Sequence, residues 1–106
     1  MADTVRSARI EAAGDGRFTV SGALTFLTAR RSCETGIAAF SSGGRDIVVD
    51  CAGVAESDSA GVAVLIEWRR WARAQGRALS FANLPATLRG IAALSGLEAV
   101  LEDAPA

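Results

Sequence analysis

Residues 49–62 constrain the fold of this chain more than any other part of its sequence. They follow Ile47 and Val48, and the β-branched run that ends at Val49 is typical of a strand covered on both faces. From Ser59 onward the apolar residues recur at helical spacing, which predicts a helix with one buried side. The residues on that side are Gly61, Val64, Leu65, Trp68, Trp71 and Ala72.

Between this strand and this helix, the sequence predicts a short polar loop that forms a defined corner. Asp58 or Ser59 can cap the helix by accepting a hydrogen bond from a free N–H group, and a carboxylate also suits the positive end of the helix dipole. Ser59, Ala60 and Gly61 are small, so another surface could approach the backbone closely at this corner.

The length of 106 residues predicts one domain over 1–106, with loose termini at 1–6 and 102–106. The longest apolar run, 61–66, is far shorter than the ~20 residues that span a bilayer, so we expect no direct membrane insertion. The first residues show no basic segment followed by an apolar core, and we therefore expect a cytoplasmic protein.

Charge and composition exclude several classes of function. The net charge is −1 and the eleven basic residues, all arginine, are spread along the chain, which argues against nucleic-acid binding. Without lysine there is neither a complete Walker A motif nor Schiff-base chemistry, and without histidine the commonest general base and metal ligand is missing. We expect no catalytic residues, cofactor or metal, and we interpret Cys33 and Cys51 as reduced, small core residues.

The N-terminal half predicts a hairpin followed by a helix. Residues 8–13 and 17–20 are β-prone, and Gly14-Asp15-Gly16 between them suits a tight turn. Thr25 is the predicted N-cap of the helix, and Gly36 within it suggests close packing on a strand. The predicted buried residues are Phe26, Ala29, Cys33, Ile37 and Phe40, with Arg30, Arg31, Glu34 and Thr35 on the opposite face.

The C-terminal part predicts a strand over 78–82 and a third helix that opens at Leu84-Pro85 and closes at Gly96. Its predicted buried residues are Leu84, Leu88, Ile91 and Leu94, and 98–101 could add a short edge strand or a turn. The complete order predicts an α/β fold, a small mixed β-sheet of about four to five strands packed on one side by three to four helices.

The spacing of these elements resembles that of STAS domains. The resemblance runs from about Phe18 to the end of the chain and depends on several segments taken together. These segments are residues 48–65, Gln75-Gly76, Phe81 to Pro85, and Leu94-Ser95-Gly96-Leu97.

Within the STAS family, the loop distinguishes two branches. In anti-sigma-factor antagonists it usually reads Asp-Ser-Ser-Gly or Asp-Ser-Thr-Gly, and a partner kinase phosphorylates the third residue, which is Ala60 here and has no hydroxyl. In the MlaB-like subunit of the Mla phospholipid-transport ABC complex, the important hydroxyl directly follows the aspartate, as Ser59 does here. Thr25-Phe26 and Glu67-Trp68 also look more like this branch.

The resemblance implies a non-enzymatic accessory subunit that docks on the ATPase subunit of an ABC transporter and is peripheral to the inner membrane through that complex. One alternative is an anti-sigma-factor antagonist whose partner is an anti-sigma-factor kinase, with Ser59 as the possible phosphoacceptor. Another is a stand-alone STAS module that senses a small ligand, for which the sequence shows no polar cluster that would form a pocket. The implied partner-binding residues are Ser57, Asp58, Ser59, Ala60, Ala63 and Arg70.

Three alternatives stay open at the level of the sequence. Ser59 could serve only as a helix cap, and Arg69, Arg70 and Arg73 could form a solvated face instead of extending the docking surface. Of Trp68 and Trp71, one could be partly exposed and anchor a partner, since tryptophan is enriched at binding hot spots. Asp50 is interpreted as a solvated strand end.

Overall fold

The computed structural model describes residues 7–42, 44–97 and 101. The elements, in chain order, are β1 (Ala8–Gly14), β2 (Arg17–Leu24), α1 (Ala29–Phe40), β3 (Asp46–Ser57), α2 (Ser59–Ala74), β4 (Ala78–Ala82) and α3 (Ala86–Leu94).

The four strands form one mixed sheet in the order β1-β2-β3-β4. β1 and β2 are antiparallel, whereas β2 with β3 and β3 with β4 are parallel. The predicted hairpin is confirmed, because Gly14, Asp15 and Gly16 all have positive φ angles at the turn. The predicted α/β class is likewise confirmed by this sheet and the helices that cover it.

The core lies between the sheet and the helices, with Trp68 of α2 at its centre. The Trp68 side chain is fully buried, and the Phe40 ring meets it edge-on at a centroid distance of 5.2 Å. Phe18 of β2 in turn meets Phe40 edge-on at 5.1 Å. This aromatic chain joins the sheet to α1 and α2, and edge-to-face geometry is the arrangement that ring quadrupoles favour.

The predicted polar loop after Val49 is wrong over most of its length, because β3 continues to Ser57. Twice along its pairing with β2, β3 carries one residue more than its partner, between Asp50 and Gly53 and again between Val54 and Glu56. Such bulges interrupt the alternation of buried and exposed side chains by which a strand is recognised in a sequence. The buried positions accordingly shift from Ile47, Val49 and Cys51 to Val54.

The predicted start of the first helix is also wrong. α1 begins after Thr28, and Thr25 instead opens a turn in which the Thr28 N–H donates to the Thr25 carbonyl oxygen at 3.0 Å. The Thr25 N–H donates to the Thr28 hydroxyl, also at 3.0 Å. Because of this turn, Phe26 leaves the predicted buried face and its side chain is 78% exposed.

Gly36 packs on a tryptophan and not, as predicted, on a strand. A Cβ atom at Gly36 would overlap the indole ring of Trp68. The Trp68 Nε1–H donates to the Cys33 carbonyl oxygen at 3.2 Å, so the ring is fixed against the same turn of α1. The glycine therefore sets the close approach of α1 and α2.

The third helix confirms the predicted segment but not all of its buried face. Leu88 is fully buried, whereas Leu94 is 91% exposed, so its predicted burial is wrong. Gly96 closes the helix with a φ of 73°, and the Leu97 N–H donates to the Ala92 carbonyl oxygen at 2.7 Å. Leu101 is helical and buried; residues 98–100 and the predicted loose termini, 1–6 and 102–106, lie outside the described residues.

Candidate protein-docking site

Asp58 organises the start of α2. It is the N-cap residue, and its Oδ1 accepts hydrogen bonds from the N–H groups of Ala60 at 2.9 Å and Gly61 at 3.2 Å. Its Oδ2 accepts from the N–H of Phe26 at 3.0 Å. Both carboxylate oxygens thus accept hydrogen bonds. The sequence allows either Asp58 or Ser59 as the helix cap, and in the structure Asp58 is the cap.

Gly61 fixes how closely this helix start approaches the sheet. A Cβ atom at Gly61 would overlap the carbonyl oxygen of Leu24, the last residue of β2. The same carbonyl accepts a hydrogen bond from the Asp58 N–H at 3.3 Å. The corner between β3 and α2 is therefore held against the end of β2 by the backbone.

Ser59 is the first residue of α2 and is exposed. Within the ranges that the structure describes, its hydroxyl makes no hydrogen bond. Ser57 and Ala60 on either side are half-buried. Because Asp58 already caps the helix, the Ser59 hydroxyl is left to face solvent, and it can donate to or accept from an approaching surface.

The structure brings three of the predicted site residues onto one line along α2. Ser59, Ala63 and Arg70 are all exposed, and their spacing places them on the same side of the helix. At a rise of about 1.5 Å per residue, Arg70 lies roughly 16 Å from Ser59 along the axis. The Arg70 Nη1 atom lies 3.4 Å from the Glu67 Oε2 atom, an exposed ion pair that leaves both groups accessible.

Phe26 and Leu27 are the candidate site residues that sequence reasoning missed. They are 78% and 72% exposed, and the hydrogen bond to Asp58 places the Phe26 backbone beside the start of α2. Helical spacing to Ala29 and Cys33 made Phe26 look like a core residue. The signal that could have found it is Thr28, a second capping-type residue close to the predicted N-cap. We call Phe26, Leu27, Ser59, Ala63 and Arg70 the docking surface.

The tryptophans do not belong to this surface. Trp71 is the partly exposed one, but it lies near the other end of α2. Its ring packs against Phe40 at a centroid distance of 6.3 Å, and the Arg77 guanidinium carbon lies 5.2 Å from its centroid. Trp71 is therefore already held by contacts within the domain.

The ionisable groups away from the surface have structural roles. Burial raises the pKa of the Cys51 thiol to about 12 and also raises the pKa of Cys33, which makes both poor nucleophiles. Hydrogen bonds from the Ala52 N–H and the Asn83 side-chain amide lower the pKa of Asp50. Asp50 is thus not a strand end, as predicted, but lies within β3 and holds the turn that contains Asn83.

The described ranges contain neither a candidate metal site nor a candidate membrane span. Across residues 7–42 and 44–97 with Leu101, no three His, Cys, Asp or Glu residues come together in a way that could hold a metal ion. In the same part of the chain, no helix has both the length and the apolar character needed to cross a bilayer.

A four-stranded mixed sheet that presents an exposed, capped helix start defines a small α/β module. A family model described as "Mlab, STAS domain" matches residues 8–102. The chain therefore belongs to the STAS family and is MlaB-like. STAS domains are in general non-catalytic, and membership indicates a role in protein–protein interaction.

Solved structures of STAS domains share this fold. The anti-sigma factor antagonist SpoIIAA in its unphosphorylated form matches with a TM-score of 0.64 and 19% identity, over 86% of this chain and 82% of that one. The Bacillus cell fate determinant SpoIIAA in the phosphorylated form matches with a TM-score of 0.62 and 19% identity, over 85% of this chain and 84% of that one. At this identity the likeness concerns the fold alone. No curated protein matches the chain.

Proposed function

We propose that this protein is a non-enzymatic STAS accessory subunit of an Mla-type, phospholipid-trafficking ABC transporter. In this role it binds the cytoplasmic ATPase subunit through the docking surface and supports the assembly and activity of that subunit. The protein then resides in the cytoplasm, peripheral to the inner membrane through its transporter.

The observation that carries the proposal is the exposed Ser59 directly after the capping Asp58, followed by the half-buried Ala60. The Ala60 side chain has no hydroxyl, so the position at which antagonists of the STAS family are usually phosphorylated cannot accept phosphate here. A permanent contact that needs no covalent switch is consistent with an accessory subunit. The MlaB-like family match supports the same branch.

The chemistry of the docking surface supports a protein partner. Exposed aromatic and aliphatic side chains next to a small, flat helix start provide apolar area that a partner can bury, and aromatic residues dominate binding at many interfaces. Phe26 and Leu27 supply that area, and Arg70 supplies a charge at the rim. The exposed Ser59 hydroxyl adds a hydrogen-bonding group.

Co-purification with the cognate ATPase subunit tests the proposal. In Ser59→Arg, the long charged side chain stands on the flat helix start, and we expect the ATPase subunit to be lost from the purified complex. Ser42→Arg is the matched control, because Ser42 is an exposed serine at the far end of α1 and we expect binding at the wild-type level. Wild-type recovery of the ATPase with Ser59→Arg would overturn the proposed surface.

A second candidate function is that of an anti-sigma-factor antagonist. One observation favours it: the Ser59 hydroxyl is exposed and makes no hydrogen bond in the described part of the chain. A phosphate on Ser59 would add about −1.5 to −2 charge beside Asp58 and could release a partner by repulsion. Incubation with an anti-sigma-factor kinase and ATP, followed by intact-mass measurement, decides between the two. We expect no added phosphate; a phosphate that appears on the wild type but not on Ser59→Ala would establish the second candidate.

A further inference from the structure

A cleft of about 370 Å³ lies between the start of β1 and one face of α1, and Ser59 does not line it. This volume falls near the lower end of the range for small-molecule sites, roughly 300–1,000 Å³. Ser7 and Ala8 form one wall. The other wall is formed by Leu27, Thr28, Arg31, Ser32 and Thr35.

The α1 wall is a continuous polar stripe. Thr28, Arg31, Ser32 and Thr35 have the three- and four-residue spacing that places side chains one above the other on a helix. The Thr28 hydroxyl already donates its hydrogen to the Ala23 carbonyl oxygen, which leaves two hydroxyl donors, Ser32 and Thr35, and one guanidinium group at the same opening. This is the set of donors that phosphate oxygens accept from in proteins, with the guanidinium able to bind two oxygens at once.

Ser32 is the strongest sign that the cleft binds a ligand. It is 3% exposed, the most buried polar side chain in the described ranges, yet its hydroxyl makes no hydrogen bond there. Among the described residues, every side-chain oxygen that is shielded from solvent has a hydrogen-bond partner. The unpaired Ser32 hydroxyl is therefore not shielded, and it opens into the cleft that Ser32 lines. Because it opens into the cleft and has no partner in the described ranges, the Ser32 hydroxyl can both donate to and accept from a molecule bound there.

The electrostatics of the cleft favour an anion. Arg31 is exposed and makes no ion pair within the described part of the chain. The first turn of α1 has no acidic residue and no side-chain cap, because the Thr28 hydroxyl instead donates to the Ala23 carbonyl oxygen at 2.8 Å. The positive end of the α1 dipole is thus not neutralised by a nearby carboxylate in that turn.

We propose that this cleft binds a small phosphate monoester, with the phosphate between Arg31 and Ser32 and the organic part against Leu27. The ester is favoured over inorganic phosphate because the volume exceeds that of a single phosphate ion and Leu27 offers apolar contact. The proposal does not rest on ATPase docking, although Leu27 belongs to both the docking surface and the cleft. Glycerol 3-phosphate is a suitable probe, and inorganic phosphate separates binding of the ester from binding of the anion alone.

Titration of the isotope-labelled protein, followed by the backbone amide signals in NMR spectra, tests the proposal. With glycerol 3-phosphate we expect saturable shifts confined to residues 27–35 and the start of β1, with a dissociation constant of about 1 mM or below. Arg31→Gln is expected to weaken binding at least about tenfold, since it removes a charge-assisted contact. Arg30→Gln, the matched control on the neighbouring exposed arginine outside the cleft, is expected to change affinity by less than about twofold.

Ser32→Ala tests the buried hydroxyl and is expected to weaken binding without changing the fold. If that variant does not fold, Thr35→Val at the exposed end of the stripe takes its place. Shifts that do not saturate, or equal losses with Arg30→Gln and Arg31→Gln, would overturn the site in favour of unspecific charge attraction. Equal affinity for inorganic phosphate would overturn the assignment to an ester.

Discussion

The Asp58 carboxylate accepts a hydrogen bond from the Phe26 N–H at 3.0 Å, although the two residues are 32 positions apart in the chain. This contact joins the turn before α1 to the start of α2. Because the other carboxylate oxygen caps α2, one side chain determines both the helix start and the place of the exposed Phe26. The two halves of the docking surface are thereby held in register.

Replacement of Asp58 by alanine should remove both functions. Loss of a helix cap costs about 0.5–2 kcal/mol. Loss of the hydrogen bond to Phe26 adds about 0.5–1.5 kcal/mol. We expect urea unfolding to show that the free energy of unfolding of Asp58→Ala is lower than that of the wild type by about the sum of these two costs.

Asp58→Ser separates the two contributions, because serine is a good N-cap but has a single side-chain oxygen. We expect Asp58→Ser to retain the cap and lose only the bond to Phe26, so that its stability falls between those of the wild type and Asp58→Ala. If both variants unfold at the same urea concentration, the contact with Phe26 has no independent contribution.

Two of the helical glycines, Gly36 and Gly90, should respond to alanine in opposite ways. A methyl group at Gly36 would overlap the buried Trp68 ring, whereas one at Gly90 meets no atom within 4 Å. We expect Gly36→Ala to lower the free energy of unfolding by about 1–3 kcal/mol through overpacking. Gly90→Ala should raise it by about 0.5–1 kcal/mol through helix propensity. Thermal unfolding of the two variants side by side measures both effects.

Phe26→Ser tests the apolar part of the docking surface and depends on the proposed function. Phe26 is mostly exposed, so we expect the stability of the free protein to change by less than about 0.5 kcal/mol. Binding to the ATPase subunit, measured by calorimetry, should weaken by about 1–3 kcal/mol. Leu94→Ser is the control, since Leu94 is an exposed leucine on α3 outside the surface. Equal losses with the two variants would count against a local role for Phe26.

Cys51 should make the fold less stable at alkaline pH. Its pKa is raised from 9.0 to about 12 in the folded protein, so above pH 9 the unfolded chain loses this proton while the folded chain keeps it. The stabilisation is fully present below pH 9 and is lost as pH rises towards 12, at about 1.4 kcal/mol per pH unit at most. We expect urea unfolding at pH 8 and pH 10 to show this loss.

The cysteine variants assign the loss to one thiol. Cys51→Ala should reduce the difference between pH 8 and pH 10, because the ionisable group is gone. Cys33→Ala should retain most of it, since Cys33 is only half-buried and Cys51 is still present. An unchanged pH dependence in Cys51→Ala would show that another group is responsible.

Much of the fold could be predicted from the sequence, because several elements carry their own local signals. The hairpin turn depends on backbone angles that Gly14 and Gly16 adopt readily, and the end of α2 depends on Gly76, whose φ is 71°. The buried side of α2 follows from its apolar spacing. The extension of β3 to Ser57 could not be predicted, since the bulges against β2 disturb the alternation of its side chains.

For the candidate site, the sequence by itself determined that Asp58, Ser59 and Ala60 occupy a helix start with two capping-type residues and no hydroxyl at the third position. Only the tertiary structure decided that Phe26 lies beside that start, because the hydrogen bond joins segments far apart in the chain. Likewise, the cleft at Ser32 exists only where β1 meets α1. Periodicity reports which face of an element is apolar, but contacts between distant segments decide which polar group is left without a partner.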